Sequence, residues 1–300
     1  MGSDVEIDLW AAPDDAALRW AIDEVARLEA CWSRFRADSE LSALNRSAGS
    51  GAFRCSTTLW QALQCAADAW RVTGGLFDPT VLGALVALGY DRTFREVTPV
   101  TDEAARTAPV PGFDGVVLEA SRRAVVLPPG VGLDLGGVGK GLAVDLLVAG
   151  LRERGVMSGL VSMGGDLRVF GPGADDDDAW LVPVQHPVDD TEMFRFPLSE
   201  EAIVQSTRLM RRWERGGRAL HHLVDPRTGW PVDNGIDAVV ATTTDAWFAE
   251  AVAKAVLVAG ESEGLVLAQR LGVDVWLVRS DRTVVSTPDV ADTLGAIGGR

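Results

Sequence analysis

The pattern of apolar and polar residues predicts helices and strands in comparable amounts. Val5, Ile7 and Leu9 alternate with acidic residues, as in a half-buried strand, and apolar residues recur at helical spacing over 13–32, 57–73 and 142–154. We predict further helices over 39–45, 102–108, 247–259 and 265–271, and strands over 116–118, 124–127, 159–163, 180–185, 201–205, 238–244, 273–278 and 283–286. Because no repeat or linker interrupts them, we expect the α+β class: one domain over 1–300, with mixed or antiparallel sheets and packed helices.

One stretch, Leu133 to Asp145 (LDLGGVGKGLAVD), is unlike ordinary core because it places four glycines and a lysine between two aspartates. Glycines this dense let a backbone approach a ligand closely and adopt φ > 0. A Walker A loop is excluded because its glycine and hydroxyl positions hold Asp134 and Gly141. No G-x-G-x-x-G register closes, since Leu142 stands where a glycine is required. The stretch therefore predicts a binding passage of another kind, from a strand into a helix.

A second candidate for chemistry is the pair His221 and His222, which leads into an Asp-Pro turn at Asp225. Histidine titrates near neutral pH, so a histidine held against a carboxylate is a natural general base. The pair therefore predicts a catalytic base, whereas the third histidine, His186, has no such context and is interpreted as structural.

Three other stretches allow two interpretations. Arg34, Arg36 and Asn45 either face a ligand or belong to a solvated loop held by local caps. The segment 75–81 (GLFDPTV) either lines a pocket with its backbone or turns between two helices. The arginines of 206–218 either meet phosphate or lie on a surface hairpin with balancing charges.

Composition narrows the class of partner. A net charge of −15 argues against nucleic acid, which requires a basic surface. Three cysteines without C-x-x-C spacing support neither a disulfide framework nor a zinc site. The first residues, MGSDVEIDLW, lack a basic region followed by an apolar one, and no apolar run reaches the ~18 residues of a membrane span. We therefore expect a soluble, cytoplasmic protein.

Taken in order, these stretches resemble those of the ApbE-type FAD:protein FMN transferases, or flavin transferases. The resemblance covers nearly the whole chain and implies an ApbE-like, T-fold-like domain. Each block alone is a weak signal, but seven blocks in order are a specific one. They are Met1-Gly2-Ser3, SRFRADSELSALN, GGLFDPTV, LDLGGVGKGLAVD, LVSMGGDL, HHLVDPRTG and the late helix that ends at Gly260.

The resemblance implies a reaction. Members of the family split FAD, release AMP and attach the FMN half by a phosphoester bond to a threonine or serine of a target flavoprotein, with Mg²⁺ as a helper. By motif position, His222 is the general base, Asp225 orients it or its loop, and the carbonyl group of Gly137 is a metal ligand. The implied FAD contacts are Met1, Leu76, Phe77, Asp78, Lys140 and Val224.

The late helix departs from the family's pattern. Spacing alone makes Glu250 and Lys254 an exposed i,i+4 ion pair worth about 0.2–0.5 kcal/mol. In the family, an Asp and a Thr at these two positions complete the metal site, and a second register, starting at Asp245, also lacks the Thr. Our hypothesis is that the ammonium of Lys254, held by Glu250, partly or wholly replaces Mg²⁺. The candidate metal ligands are then Gly137, Glu250 and Asp245.

Two other functions remain open at this point. A degenerate member of the family would bind FAD or FMN without transferring it, and an FAD pyrophosphatase would use water in place of the acceptor hydroxyl group.

Overall fold

The structure is a computed structural model, and it describes residues 3–10, 15–100, 103–173, 179–187 and 191–288. The chain divides into two units. The first comprises Ala26–Gly139 and Arg211–Asp233, and the second comprises Ser3–Val25, Lys140–Met210 and the chain from Asn234 onward.

The described residues form seven α-helices and fourteen strands. The helices are α1 (Ala16–Trp32), α2 (Glu40–Arg46), α3 (Thr57–Val72), α4 (Leu82–Ala87), α5 (Gly139–Glu153), α6 (Ala246–Ala259) and α7 (Glu261–Leu271). The strands are β1 (Val5–Trp10), β2 (Ala52–Arg54), β3 (Val117–Glu119), β4 (Ala124–Val126), β5 (Ser158–Met163), β6 (Asp166–Phe170), β7 (Trp180–Gln185), β8 (Glu192–Leu198), β9 (Ala202–Thr207), β10 (Arg212–Arg215), β11 (Arg218–His221), β12 (Ile236–Thr243), β13 (Asp274–Arg279) and β14 (Val284–Ser286).

The first unit contains a small antiparallel sheet in the order β2-β4-β3 and the antiparallel hairpin β10-β11. Its apolar cluster joins α4 to this hairpin through Leu88, Tyr90, Trp213, Leu220 and Val224. The indole nitrogen of Trp213 donates a hydrogen bond to the carbonyl oxygen of Leu88 at 2.9 Å, so the buried ring has its polar atom paired. The cluster thereby anchors the hairpin that leads into the histidine pair.

The second unit is built on a seven-stranded antiparallel sheet in the order β1-β5-β6-β9-β12-β13-β14. Helix α6 packs on β9 and β12, and most of its residues are buried because it reads AWFAEAVAKAVLVA, apolar on nearly every side. The β7-β8 hairpin contributes to a core cluster that contains Phe194, Phe196 and Trp276. Glu250 on α6 is therefore held in a rigid, buried position.

One glycine of the passage allows two helices of this unit to touch. A Cβ atom at Gly141, on the first turn of α5, would lie 2.5 Å from the amide nitrogen of Trp247 at the start of α6. Gly136, Gly139 and Gly141 all have φ outside the left-handed region. Close packing, rather than positive φ, explains the glycine at position 141.

The α+β class with antiparallel sheets is confirmed. Apart from the segment 102–108, the predicted helices and strands are present, with ends displaced by up to four residues. Helix α4 and strand β2 have no counterpart in the sequence prediction. The sequence also predicts a turn at Asp189 and Asp190, which lie outside the described residues. The extent of the domain, 1–300, stays a prediction.

The helix predicted over 102–108 is wrong in its described part, because residues 103–108 are not helical; Asp102 lies outside the described residues. Long-range contacts hold this irregular backbone in place. Val100 forms a bridge with Arg215 and accepts a hydrogen bond from the amide of Gly216 at 2.7 Å. Thr107 donates to the carbonyl oxygen of Gly229. Tertiary pairing has overridden the local pattern here.

Strands β6 and β8 are absent from the sequence prediction. In β8, the alternating residues Phe194, Phe196 and Leu198 are buried, while the residues between them pair the backbone with β7. Strand β6 begins at Asp166, directly after the turn at Gly164 and Gly165. Both glycines have positive φ, which suits a two-residue hairpin turn.

The three cysteines are free thiols. Burial, together with the neighbouring Glu40, raises the pKa of both Cys31 and Cys55 to about 12, so these thiols are unreactive near neutral pH. Among the helices of the described ranges, none has the length and apolar composition needed to cross a bilayer.

Replacement of Gly141 tests the close contact between the helices. Gly141→Ala is expected to lower the free energy of unfolding by about 1–3 kcal/mol, because the added methyl group pushes α5 away from the first turn of α6. Urea titration followed by circular dichroism measures this loss.

Gly83 on α4 is the matched control, because nothing lies within 4 Å of a Cβ atom built there. Gly83→Ala is expected to raise the free energy of unfolding by about 0.5–1 kcal/mol. Equal effects of the two substitutions would contradict the close-packing argument.

Candidate functional site

In the described part of the second unit, several buried charged side chains gather around Glu250. The side chain of Glu250 is 0% exposed. One of its oxygens, Oε1, accepts from Lys140 Nζ at 2.8 Å and from Lys254 Nζ at 3.0 Å. The other, Oε2, accepts from the amide of Gly141 at 2.9 Å. Asp166, which is 2% exposed, also pairs with Lys140. We call Lys140, Asp166, Glu250 and Lys254 the lysine–carboxylate cluster.

Three local structures assemble this cluster. Lys140 is the second residue of α5, so its side chain extends from the first turn of this helix. Asp166 follows the Gly164-Gly165 turn between β5 and β6. Glu250 and Lys254 lie one turn apart on α6 and share a face of that helix. The i,i+4 ion pair expected for these two residues is present. The prediction that it is exposed is wrong, because α6 is buried and the side chain of Glu250 is 0% exposed.

The charges of the cluster set its protonation. Burial by itself would raise the pKa of Glu250, but the positive charges of Lys140 and Lys254 lower it to about 2. Burial raises the pKa of Asp166 to about 7 against the attraction of Lys140. Glu250 is therefore the permanently ionised member, and a proton taken up by the cluster goes to Asp166.

The two aspartates that flank the glycine passage serve backbone amides. Asp145 accepts hydrogen bonds from the amides of Ala246 and Trp247, both at 3.0 Å, and so caps the N-terminus of α6. Arg168 lies 2.5 Å from the same carboxylate. In the first unit, Asp134 accepts from the amide of Gly136 at 2.6 Å. These carboxylates shape the two ends of the passage.

Asn45 and Arg34 hold the passage from the first unit. The side chain of Asn45 donates to the carbonyl oxygen of Leu133 at 2.9 Å and accepts from its amide at 2.8 Å, so it pairs with that backbone as a neighbouring strand would. Arg34 Nε lies 2.7 Å from Asp134, and its Nη1 donates to the carbonyl oxygen of Tyr90 at 2.8 Å. Arg36 pairs with Asp38 at the surface. The structure thus gives these residues structural partners.

The segment Leu76–Asp78 lies in the first unit, where the backbone turns after α3. Asp78 Oδ1 accepts from the amide of Thr80 at 2.7 Å and from its hydroxyl group at 2.6 Å, which caps a short 3-10 turn. Burial raises the pKa of Asp78. Phe77 is 5% exposed, and Leu76 is half-buried. Val224, 7% exposed, belongs to the apolar cluster described above.

The two adjacent histidines have different surroundings. Both ring nitrogens of His221 serve the backbone: Nε2 lies 2.9 Å from the carbonyl oxygen of Val232, and Nδ1 accepts from the amide of Leu223 at 3.3 Å. The carbonyl group requires a donor, so the proton of His221 is on Nε2. His222 is half-buried, directly after the end of β11.

Asp225 orders the loop after the histidines. Its carboxylate accepts from the amide and the guanidinium group of Arg227 at 2.9 Å each. Its carbonyl oxygen accepts from the amide of Gly229 at 2.8 Å and closes the turn. These contacts order the loop that follows His222.

Three predicted site residues remain: Gly137, Asp245 and Met1. Gly137 is half-buried in the turn before α5, in the first unit. The side chain of Asp245 is 53% exposed and lies 3.6 Å from Arg168. Met1 lies outside the described residues.

The arginines of 206–218 form no single phosphate site. Arg208 pairs with Asp237, Arg215 with Glu103, and Arg218 stacks on Trp230. Arg212 and Arg215 lie on the β10-β11 hairpin. The surface hairpin with balancing charges is the interpretation that the structure supports.

Comparison with known proteins identifies the family. A model of the ApbE family matches residues 1–277. The chain belongs to the ApbE family. It is 27% identical over 291 residues to an "FAD:protein FMN transferase" of Klebsiella pneumoniae, covering 95% of this chain and 89% of that relative. It is 28% identical over 253 residues to the one of Vibrio cholerae, covering 82% and 74%.

Solved structures of the family share the fold. The ApbE protein of Thermotoga maritima superimposes with a TM-score of 0.85 at 22% identity, covering 96% of this chain and 94% of that one. The flavin transferase ApbE of Vibrio cholerae gives a TM-score of 0.78 at 23% identity, covering 95% and 93%. The fold expected from the seven sequence blocks is therefore confirmed.

The donor set of this ApbE-family chain does not fit the Mg²⁺ ion that the resemblance implies. Magnesium takes about six oxygen ligands at ~2.0–2.1 Å. Both oxygens of Glu250 already accept N–H donors, and two of the three donors are ammonium groups that repel a cation. In the described ranges, no group of three or more His, Cys, Asp or Glu residues has the arrangement of a metal site.

Asp166 is the site residue that the sequence argument missed. The stretch LVSMGGDL contains a signal for Asp166, because a Gly-Gly turn after a strand predicts that the next strand begins at this aspartate. Only the return of β6 beside the first turn of α5 shows that its partner is Lys140.

Loss of the central carboxylate tests the cluster. Glu250→Gln leaves two buried ammonium groups around a neutral amide, so the free energy of unfolding is expected to fall by about 3–5 kcal/mol in a urea titration.

The matched control for this substitution is Glu261→Gln. Glu261 pairs with Arg279 at 2.7 Å, but both side chains are about one-third exposed. Its loss is expected to cost about 1 kcal/mol or less. A loss at Glu250 as small as that at Glu261 would show that the cluster is not a buried ion network.

Proposed function

We propose that this protein is an FAD:protein FMN transferase. The observation that carries the proposal is the match to the ApbE family over residues 1–277, shared with relatives that bear this name over 74–89% of their length. The substrate is FAD, and the partner is a target flavoprotein with an acceptor threonine or serine.

In the proposed reaction, the hydroxyl oxygen of the acceptor attacks the phosphorus atom of the FMN half of FAD. A new P–O bond forms, the bridging P–O bond breaks, AMP leaves, and the hydroxyl proton passes to a base. His222 is our candidate for this base. The fact that both ring nitrogens of His221 are used by the backbone supports the choice. Asp225 keeps the loop after His222 in one conformation through Arg227.

The FAD contacts that we propose in the first unit are Leu76, Phe77, Asp78 and Val224, of which the last three are buried. In the second unit Lys140 supplies positive charge to the diphosphate. Met1 is a further proposed contact, outside the described residues. No step is assigned to a metal ion, because the residues present do not fit one.

A cytoplasmic location remains a prediction. The three free thiols support it, because disulfides are rare in reducing compartments.

The decisive experiment incubates the purified protein with FAD and with a candidate acceptor flavoprotein. Release of AMP together with flavin fluorescence that stays on the denatured acceptor supports transfer. AMP without labelled acceptor indicates an FAD pyrophosphatase, and bound flavin without AMP indicates a degenerate binding protein. Each of the last two results rejects the transferase.

The histidine pair allows a matched comparison. His222→Asn is expected to lower the rate of FMN transfer by about 10²–10⁴-fold, the contribution of a general base, with little change in the midpoint of thermal unfolding. His221→Asn is expected to act mainly on stability, with a loss of about 1–3 kcal/mol from unpaired buried backbone groups. A transfer rate that survives in the His222 variant would remove this residue from the mechanism.

A further inference from the structure

The chain uses lysine at only two of its 28 basic positions, Lys140 and Lys254; the others are all arginine. The structure places both lysines on the same oxygen of Glu250, at 2.8 and 3.0 Å. Arginine thus occupies every other basic position, and the two lysines meet at one buried carboxylate. The use of lysine at these two positions indicates a role that a guanidinium group does not fill.

With Asp166 ionised, the cluster around that oxygen is electrically balanced. Two ammonium groups face two carboxylates, Asp166 and Glu250, which are 2% and 0% exposed. The carboxylate of Glu250 already accepts three N–H donors. A divalent cation at this point would add two positive charges beside two ammonium groups, and it would have to compete with three N–H donors for the oxygens of Glu250.

Lys254 has capacity left to bind an anion. An ammonium group has three N–H donors, and among the described residues Glu250 is the one hydrogen-bonding partner of Lys254. Its side chain is 16% exposed, so it is reachable. Burial and the repulsion of Lys140 lower the pKa of Lys254, whereas Asp166 and Glu250 outweigh burial and raise that of Lys140. Lys254 is therefore the less compensated of the two cations.

The shape of the charge also matters. A guanidinium group is a planar fork that spreads its charge, whereas an ammonium group is a compact point charge on a flexible stem. An ammonium group that a carboxylate holds in place, and that has unused N–H donors, places positive charge close to a phosphate oxygen. A bound metal ion would do the same.

We propose that the ammonium group of Lys254 takes the place of a divalent cation in this protein and binds an oxygen of the FAD diphosphate, so that FAD binding requires no metal. The diphosphate half of this inference rests on the proposed function. The exclusion of a cation from the cluster rests on the contacts around Glu250 alone.

The first test uses the wild-type protein after treatment with EDTA. Millimolar Mg²⁺ is expected to leave the midpoint of thermal unfolding unchanged and to shift the Kd for FAD, measured by titration calorimetry, by less than about twofold. An increase in FAD affinity of about tenfold or more on addition of Mg²⁺ would overturn the proposal.

The second test removes the charge. Lys254→Met keeps an unbranched side chain of similar length but leaves one ammonium group between two carboxylates. FAD affinity in EDTA is expected to fall about 10–100-fold, as for loss of a charge-assisted hydrogen bond. Because the cluster now carries a net negative charge, Mg²⁺ is expected to raise both the midpoint of thermal unfolding and the affinity for FAD. Absence of any such Mg²⁺ response also overturns the proposal.

Arg152→Met is the matched control. It removes one positive charge from α5 at a side chain that is 44% exposed and paired with Glu200. This variant is expected to bind FAD as the wild type does and to ignore Mg²⁺.

The experiment separates the two proposals. Wild-type protein that binds no FAD with or without Mg²⁺ would reject the proposed function. In that case the thermal midpoint of Lys254→Met in Mg²⁺, measured without FAD, still decides whether Lys254 excludes a cation. If the variant does not fold, the wild-type titrations with EDTA and Mg²⁺ decide the question.

Discussion

The second unit depends on one carboxylate. Glu250 lies on a helix that is apolar on nearly every side, so its charge is tolerable only because two ammonium groups and an amide surround it. Through these contacts it joins α6 to the first turn of α5, and through Lys140 to the start of β6. Removal of either ammonium group leaves a buried negative charge less compensated.

The glycine passage shows how a binding loop is given a fixed shape by residues remote in sequence. In the first unit, Asn45 pairs with the backbone of Leu133, and Arg34 pairs with Asp134. In the second unit, Gly141 permits close contact of α5 with the start of α6, and Asp145 caps that same helix end. If FAD binds as proposed, a passage held in this way keeps its backbone amides in place beforehand, which reduces the entropic cost of binding.

The histidine pair shows how far neighbours in sequence differ in their surroundings. A strand end turns successive side chains to opposite sides, so His221 is buried against the backbone and His222 is only half-buried. The carboxylate of Asp225 accepts hydrogen bonds from the amide and the guanidinium group of Arg227, and these bonds hold the loop in one conformation. Two adjacent histidines of the first unit thus differ in role: His221 is structural, and His222 is the candidate base.

The sequence by itself determined the α+β class and the family, because alternation, helical spacing and ordered motifs are local signals that survive without contacts. It also singled out Lys140, Glu250 and Lys254. Only the tertiary structure decided that Glu250 is buried, since an i,i+4 pair has the same spacing on an exposed face as on a buried one. It also added Asp166, which becomes a partner of Lys140 only when β6 returns beside α5, and it replaced the helix predicted over 102–108 with irregular backbone held by a distant hairpin. Burial and pairing depend on residues far apart in sequence, and no local pattern contains that information.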